Sequence, residues 1–383
     1  MKVCYVISTP SVAGGANRSL LDLIVNLKNL NEDFSCIALM SGHGSMETAL
    51  QELGIKCYVQ KYANGIKSRK WYRTLGKRIY NQYAAFQIKK IFETESVDIV
   101  HNNSLPTTVG MEVALGLSIP YICHVRENIW DGLGMEFYST KRVQNVVDSA
   151  AEVIFISEFI KKSYNQFIHN RNNLVLFDGI AVSDYYEPHR EILKGKAINL
   201  LIVGVINPQK GQEEAVKAAE LLTQKGYNIH LTILGAVGRW NESTDYADKL
   251  KEYVKQKRLD FIEFMPPIDS VNDLKALRAE YDINLICSSA EGLGRTTIES
   301  MLSGALTIAA DAGATPEIIK DNNTGLLYKK NCIEDLCNRI EWACKHKDKS
   351  NEIAARGQRF ALEHFDADRY AKQVFDIYRD LRK

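Results

Sequence analysis

The stretch LLIVGVINPQKGQEEAVKAAELLTQKG, residues 200–226, decides the fold. An apolar, β-branched run, LLIVGVI, stops at NPQKG, and GQEEAVKAAELLTQ follows with apolar residues at helical spacing. Strand, loop, helix is one step of an α/β fold, and a strand apolar on both faces belongs to a parallel sheet covered by helices. The step restarts an earlier rhythm. Upstream, KVCYVIST, FSCIALM, VDIVHNN, PYICHV and EVIFIS alternate with helical patterns such as ANRSLLDLIVNLKN, until the polar segment GIAVSDYYEPHREILKGKAIN (179–199) interrupts them. HLTILG, FIEFM, INLICSS and LTIAA carry it on downstream. The chain therefore reads as two doubly wound α/β domains, residues 1–180 and 198–365, with a linker at 181–197. In such sheets ligands sit at the carboxyl ends of strands. Two domains facing across a cleft would carry their functional residues on post-strand loops.

Bulk properties agree with ordinary globular domains. The 383 residues exceed the roughly 100–200 of a single domain. With 45% hydrophobic and 25% charged residues and a net charge of +1, neither a disordered nor a globally polyanion-seeking chain fits. MKVCYVISTPSVAGG lacks the long apolar core and cleavage site of a signal peptide. No run reaches the ~18 apolar residues of a membrane span, so the cytoplasm is the expected location. Eight cysteines (Cys4, Cys36, Cys57, Cys123, Cys287, Cys332, Cys337, Cys344) are scattered without a CxxC pair and read as buried, reduced thiols.

Three post-strand loops carry candidate chemistry. In STPSVAGGANRS, Gly14 and Gly15 open a helix, where backbone N–H groups can approach an anion; a plain turn would use the same glycines. In VGVINPQKGQEE, Lys210 stands at a helix N-terminus, the wrong end for a cation unless an anion lies between; a solvated turn lysine is the alternative. In SSAEGLGRTTIESML (288–302), Glu291, Gly292, Leu293 and Gly294 form a tight turn and RTTIESMLSG a helix closed by Gly304. Free N–H groups from Gly294 to Thr297 could hold a diphosphate beside Arg295. Glu299 lies roughly 7 Å further along the helix. Carboxylates accept from vicinal hydroxyls, so a molecule with a sugar at each end of a diphosphate matches the layout.

These residues resemble the family 4 glycosyltransferases, retaining nucleotide-sugar enzymes of the GT-B fold, which has two Rossmann-like domains. SSAEGLGRTTIESMLSG is similar to the family's E-x7-E signature, and NPQKG, GGANRSL, FISEFIKKSY and LFDGIAV stand in the family's order. The resemblance covers essentially the whole chain. It implies that Glu299 holds the ribose, and that Glu291 with the backbone of Gly292, Leu293 and Gly294 holds the donor sugar. Lys210 would contact the diphosphate, with Arg295 and Thr296 at the helix start, and Gly14 and Gly15 would close on it from the other domain. His124, ending PYICHV, would lie next to the donor sugar, although a histidine there has a structural reading too. The backbone near Met265 in FMPPIDS would meet the nucleobase. Catalysis would involve His124, Glu291 and Lys210, and the C-terminal helix, about 366–383, would pack back on the first domain. Two departures stand out. Val205 occupies a position where many members carry an arginine, so Arg295 or Arg126 becomes the candidate to supply that charge. Asp178 replaces a frequent asparagine, with no consequence attached.

The implied reaction transfers a glycosyl group from a nucleoside diphosphate sugar, a UDP-sugar, to a glycan or lipid-linked acceptor, with the leaving diphosphate helping to deprotonate it. No cofactor and no metal are implied. Between Glu52 and Glu93 the chain has Lys56, Lys61, Lys67, Arg69, Lys70, Arg73, Lys77, Arg78, Lys89 and Lys90 and no acid, interleaved with Tyr62, Trp71, Tyr72, Tyr80, Tyr83 and Phe86. This span, Lys56 to Lys90, suits an anionic membrane surface and a peripheral location at its inner face; a solvated helix face is the alternative, and no nucleic-acid motif accompanies it. A non-catalytic two-domain binding protein and a Rossmann oxidoreductase are competing readings. The glutamate loop weighs against the first, and the lack of GxGxxG against the second.

Overall fold

A computed structural model describes all residues except 13, 69, 131–133, 189, 239–240 and 383, together with the side chain of residue 241. The chain divides into two compact units, Met1–Ile180 with Ala367–Lys383, and Ala181–Asp366. The first unit runs β1 (Lys2–Ile7), α1 (Gly15–Leu30), β2 (Ser35–Met40), α2 (Ser45–Glu52), β3 (Lys56–Val59), α3 (Trp71–Glu95), β4 (Ile99–Asn102), α4 (Val109–Gly116), β5 (Tyr121–Val125), α5 (Thr140–Asp148), β6 (Glu152–Phe155), α6 (Glu158–Tyr164) and β7 (Asn173–Val175). The second runs β8 (Ile198–Val203), α7 (Gln212–Gln224), β9 (Ile229–Leu234), α8 (Asn241–Gln256), β10 (Ile262–Met265), α9 (Val271–Arg278), β11 (Ile283–Ile286), α10 (Arg295–Leu302), β12 (Leu306–Ala310), α11 (Thr315–Ile318), β13 (Leu326–Tyr328), α12 (Ile333–Lys345) and α13 (Lys347–His364). The last helix, α14 (Ala367–Leu381), belongs to the first unit.

Both sheets are parallel, in the orders β3-β2-β1-β4-β5-β6-β7 and β10-β9-β8-β11-β12-β13. The apolar runs follow from this: Val3 to Ile7 of β1 are all buried because helices cover both faces. Strand order reverses beside β1 and beside β8, and ligand crevices of doubly wound sheets open at such points, outside the carboxyl ends. The loops with Gly14 and Gly15, with Lys210 and with Glu291 all leave from there.

Residues 181–197, read as a linker, pack within the second unit. Tyr185, Ile192 and Leu193 are buried, and the Ile192 and Leu193 N–H groups donate to Asn351 at 2.8 Å and Asp282 at 2.7 Å. In the first unit, Tyr370, Ala371, Val374 and Tyr378 of α14 share a core with Leu20, Leu23 and Leu27 of α1.

Helix α3 is apolar on two sides. Ala84, Ile88 and Phe92 are buried, while Trp71, Tyr72, Leu75, Ile79, Tyr83 and Phe86 are 47 to 76% exposed. At about 100° per residue the six exposed side chains fall within roughly 120° of arc, opposite the buried face. Not every residue expected on this surface is free there. Tyr62 is buried, its hydroxyl donating to the Ile7 carbonyl at 2.6 Å. Lys56 is paired with Glu95 at 2.6 Å and Lys67 with Glu136 at 3.1 Å, so neither charge is free. Arg69 lies outside the described residues. Among the described residues, no helix is long and apolar enough to cross a membrane.

Candidate active site

In the second unit the loops after β8, β11 and β12 are pressed together by glycines. Asn207 caps a single 3-10 turn, Pro208–Lys210, its side chain accepting from the Lys210 N–H at 3.0 Å. Gly211 follows with φ +68°, where a Cβ would stand 2.3 Å from the Cys287 carbonyl; at Gly313, with φ +59°, a Cβ would stand 2.5 Å from the Glu291 nitrogen. Left-handed backbone and lack of room both demand glycine there. The result is that the Lys210 ammonium meets the Glu291 carboxylate in an ion pair, the side chains being 28% and 15% exposed. Thr296 lines the same small recess. The anion expected beside Lys210 is thus, in this structure, the protein's own carboxylate.

Gly294, with φ +89°, starts α10, and Leu293 is buried, so its side chain belongs to the core. The Thr297 N–H donates to the Gly294 carbonyl at 2.8 Å, which removes it from the free amides expected at this turn. Glu299, the fifth residue of α10, is buried between two cations: Arg278 Nη2 at 3.0 Å and Arg295 Nε at 3.4 Å. Arg278 is itself buried and also donates to Ser300 at 3.1 Å. The Arg295 guanidinium lies over the Tyr185 ring, 5.9 Å from its centroid. Met265 ends β10, and its carbonyl accepts from Gly235 at 3.2 Å. The next two residues are prolines, which have no N–H to offer a base.

In the first unit, Gly14 caps α1 and Gly15 begins it. A Cβ at either would meet nothing within 4 Å, and neither has left-handed backbone, so the fold makes no demand for glycine there. Asn17 straps the preceding loop, donating to the Thr9 and Ser11 carbonyls at 2.8 Å each. It also accepts from Asn103 at 3.3 Å, and Asn103 accepts from Arg126 Nε at 3.0 Å. His124 is fully buried at the end of β5. Burial first, then the Arg126 cation and His101, hold its pKa well below the usual imidazole range, so the ring is neutral. Arg126 pairs with Asp178. Asp178, to which the sequence reading attached nothing, is thus the counter-ion of a buried arginine. Val205 is 44% exposed. Neither suggested substitute for an arginine there is unengaged, since Arg126 is held by Asp178 and Arg295 by Glu299.

Two family descriptions match successive parts of the chain, Glycosyltransferase Family 4 over residues 13–177 and Glycosyl transferases group 1 over residues 187–360. The chain belongs to the family 4 glycosyltransferases. An uncharacterised glycosyltransferase of Methanocaldococcus jannaschii is 24% identical over 299 residues, covering 76% of this chain and 78% of the relative. The alpha-maltose-1-phosphate synthase of Mycolicibacterium smegmatis is 22% identical over 322 residues, covering 76% and 81%. Among solved structures, Anabaena HepE in complex with UDP superposes with a TM-score of 0.82 at 19% identity, covering 99% of this chain and 100% of that one. HepE in complex with UDP-glucose gives 0.79 at 19% identity, with the same coverage. The fold is GT-B.

This glycosyltransferase also has polar groups that sequence reasoning passed over. Arg278 sits in VNDLKALR and reads as a surface cation; only the contact with Glu299 reveals it. Glu127, three residues after His124, accepts from Ser104 at 2.6 Å and is pushed up to about 7, chiefly by burial. Its proximity to His124 in HVREN was the one available signal. Between its ordinary value of 4.5 and about 7 the folded protein keeps a proton that the unfolded chain releases. Stability from this group is complete below that window and is lost as pH rises through it. Thermal unfolding should therefore show a falling Tm across the window, flattened in Glu127→Gln; identical profiles would remove Glu127 from the account.

Proposed function

We propose that this glycosyltransferase moves a sugar from a nucleoside diphosphate sugar, specifically a UDP-sugar, to a hydroxyl of a glycan or lipid-linked acceptor with the anomeric configuration retained, in surface polysaccharide or glycoconjugate synthesis. The Lys210–Glu291 pair at the carboxyl ends of β8 and β11 carries the reading. A nucleotide sugar offers an anion for one partner and hydroxyls for the other. Lys210, with Thr296 and Arg295 at the start of α10, would take the diphosphate, and Glu291 with Gly292, Leu293 and Gly294 the donor sugar. Glu299, oriented by Arg278, would accept from the ribose, and the chain near Met265 would meet the base. From the first unit His124 would face the sugar, and Gly14 and Gly15, which the fold does not require, would admit the diphosphate closely. The HepE complexes with UDP and UDP-glucose support a uridine donor.

Retaining hydrolases flank the anomeric carbon with carboxylates about 5–5.5 Å apart. Here both glutamates sit on one loop and the helix it opens, a better place to bind hydroxyls. Same-face substitution, with the leaving diphosphate taking the acceptor proton, fits better. Lys210 and the helix start then contribute by stabilising charge on that diphosphate. Thermal shift across UDP-, GDP- and ADP-sugars tests the donor, since a ligand at a hundred times its Kd stabilises by about 2.7 kcal/mol. UDP-sugars should give the largest shift, and Glu299→Ala should abolish it. No shift with any donor, and no release of nucleoside diphosphate, would sink the reading.

The exposed side of α3 favours a membrane contact on the acceptor side. Its aromatic and aliphatic stripe shares that side of the helix with Arg78, Lys89 and Lys90, and Lys70 at its start lies over the Tyr72 ring, a combination suited to an anionic bilayer interface. The protein would work peripherally there, at the cytoplasmic face, where a lipid-linked acceptor presents its head.

A further inference from the structure

We propose that Arg126 fixes His124 as the neutral Nε2–H tautomer, and that this choice runs on through His101 to Tyr378 of the last helix, making Arg126 a positioning residue. The inference rests on the reading of His124 as a group that meets the sugar. His124 Nδ1 has two polar neighbours, Arg126 Nη2 at 3.3 Å and His101 Nε2 at 3.2 Å. A guanidinium has only donors and does not lose its proton. Nδ1 must therefore accept, and the ring proton sits on Nε2.

The same decision then orders the next groups. His101 Nε2 can only donate toward His124, so its Nδ1 is an acceptor, 2.6 Å from the Tyr378 hydroxyl, which donates. With its one proton given to His101, the Tyr378 hydroxyl would be left to accept from the Tyr5 hydroxyl 3.1 Å away. Tyr5, His101, His124 and Tyr378 are all fully buried, so water does not blur the order. Arg126 cannot swing away, because Asp178 holds one end of it and Asn103 accepts from Nε at 3.0 Å. One donor without an alternative thus sets three others.

What remains is a proton with no acceptor. His124 Nε2 has no hydrogen-bond partner among the described residues, and Asp178 Oδ1, 3.9 Å away, has none either. Buried polar atoms left over in this way call for an explanation, and a ligand oxygen is one. A sugar hydroxyl admitted there would accept from the Nε2–H and donate to the carboxylate beside it. The pair would read one hydroxyl as acceptor and donor together.

The direct test is ¹⁵N NMR of the full-length protein labelled in histidine, which distinguishes protonated from bare ring nitrogens. Expected are Nε2–H on both His124 and His101; a proton on Nδ1 of His124 in the wild-type protein overturns the proposal by itself. The double variant R126M with D178N removes the guanidinium without stranding a charge. It should give His124 a mixture of tautomers and, because the Asp178 acceptor is lost as well, lower kcat by at least about tenfold. An unchanged Nε2–H signal in that variant also overturns it. If it does not fold, the wild-type spectrum alone decides. Should the tautomers appear as stated while His124→Ala transfers normally, the proton order stands and the sugar-contacting role of His124 fails instead.

Discussion

Glu291→Gln should slow transfer about ten- to a hundredfold, the cost of a hydrogen bond to a charged group, while nucleoside diphosphate binds more tightly than to the wild type. The two effects oppose each other because of what Lys210 does before a donor arrives. Its ammonium is already paired with Glu291, so a diphosphate must break that pair to gain the cation. Glutamine keeps the size and the fit against Gly313 but removes the charge that competes for Lys210. A partly exposed pair of this kind is worth up to about 1 kcal/mol, so the gain in affinity is at most about fivefold. The sugar hydroxyls lose a charged acceptor in the same substitution, which is where the rate falls. Isothermal titration with UDP and steady-state transfer measured on one preparation check both. Equal loss in the two would mean that the pair does not stand between the enzyme and its donor.

Replacing Trp71, Ile79 and Tyr83 together by serine should lower partitioning to anionic vesicles by about a hundredfold or more. Each side chain is 61 to 76% exposed and faces away from the buried side of α3. Burying even half of each in an interface contributes roughly 1 kcal/mol apiece. Surface substitutions of this kind usually move stability by less than about 0.5 kcal/mol, so folding is not the confounding variable. Co-sedimentation with neutral and with anionic vesicles separates the stripe from the cations around it. The cations should govern the difference between the two vesicles, and the stripe the strength on both. Undiminished sedimentation of the triple variant would leave α3 an ordinary solvated helix.

The doubly wound pattern was legible because strands covered on both faces must be apolar there, as residues 3–7 of β1 and 200–203 of β8 are. The Glu291 turn was legible for a related reason, since glycines and a helix start must lie close together in sequence to do their work. What stayed hidden was long-range pairing. Arg278 meets Glu299 across 21 residues, and His101 meets Tyr378 across 277; nothing local in VNDLKALR or VDIVHNN announces a partner. Helix α3 was half legible. Its charge was plain, but two apolar faces cancel the one-sided periodicity by which a docking helix is normally recognised. Tyr62 misled for the opposite reason, because a tyrosine in a basic stretch gives no sign that its hydroxyl ends on two backbone carbonyls, of Ile7 and Leu39.

The first unit is assembled from two separate stretches of the sequence, with α14 packed against the core face of α1. During synthesis, at about 5–20 residues per second, β1 to β7 would emerge first and then wait roughly ten to forty seconds for the helix that completes their core. The second unit, continuous in sequence, can close during that wait. The unit made first is therefore finished last, and the apolar flank of α1 is the surface a ribosome-bound chain must keep from other partners until its own tail arrives.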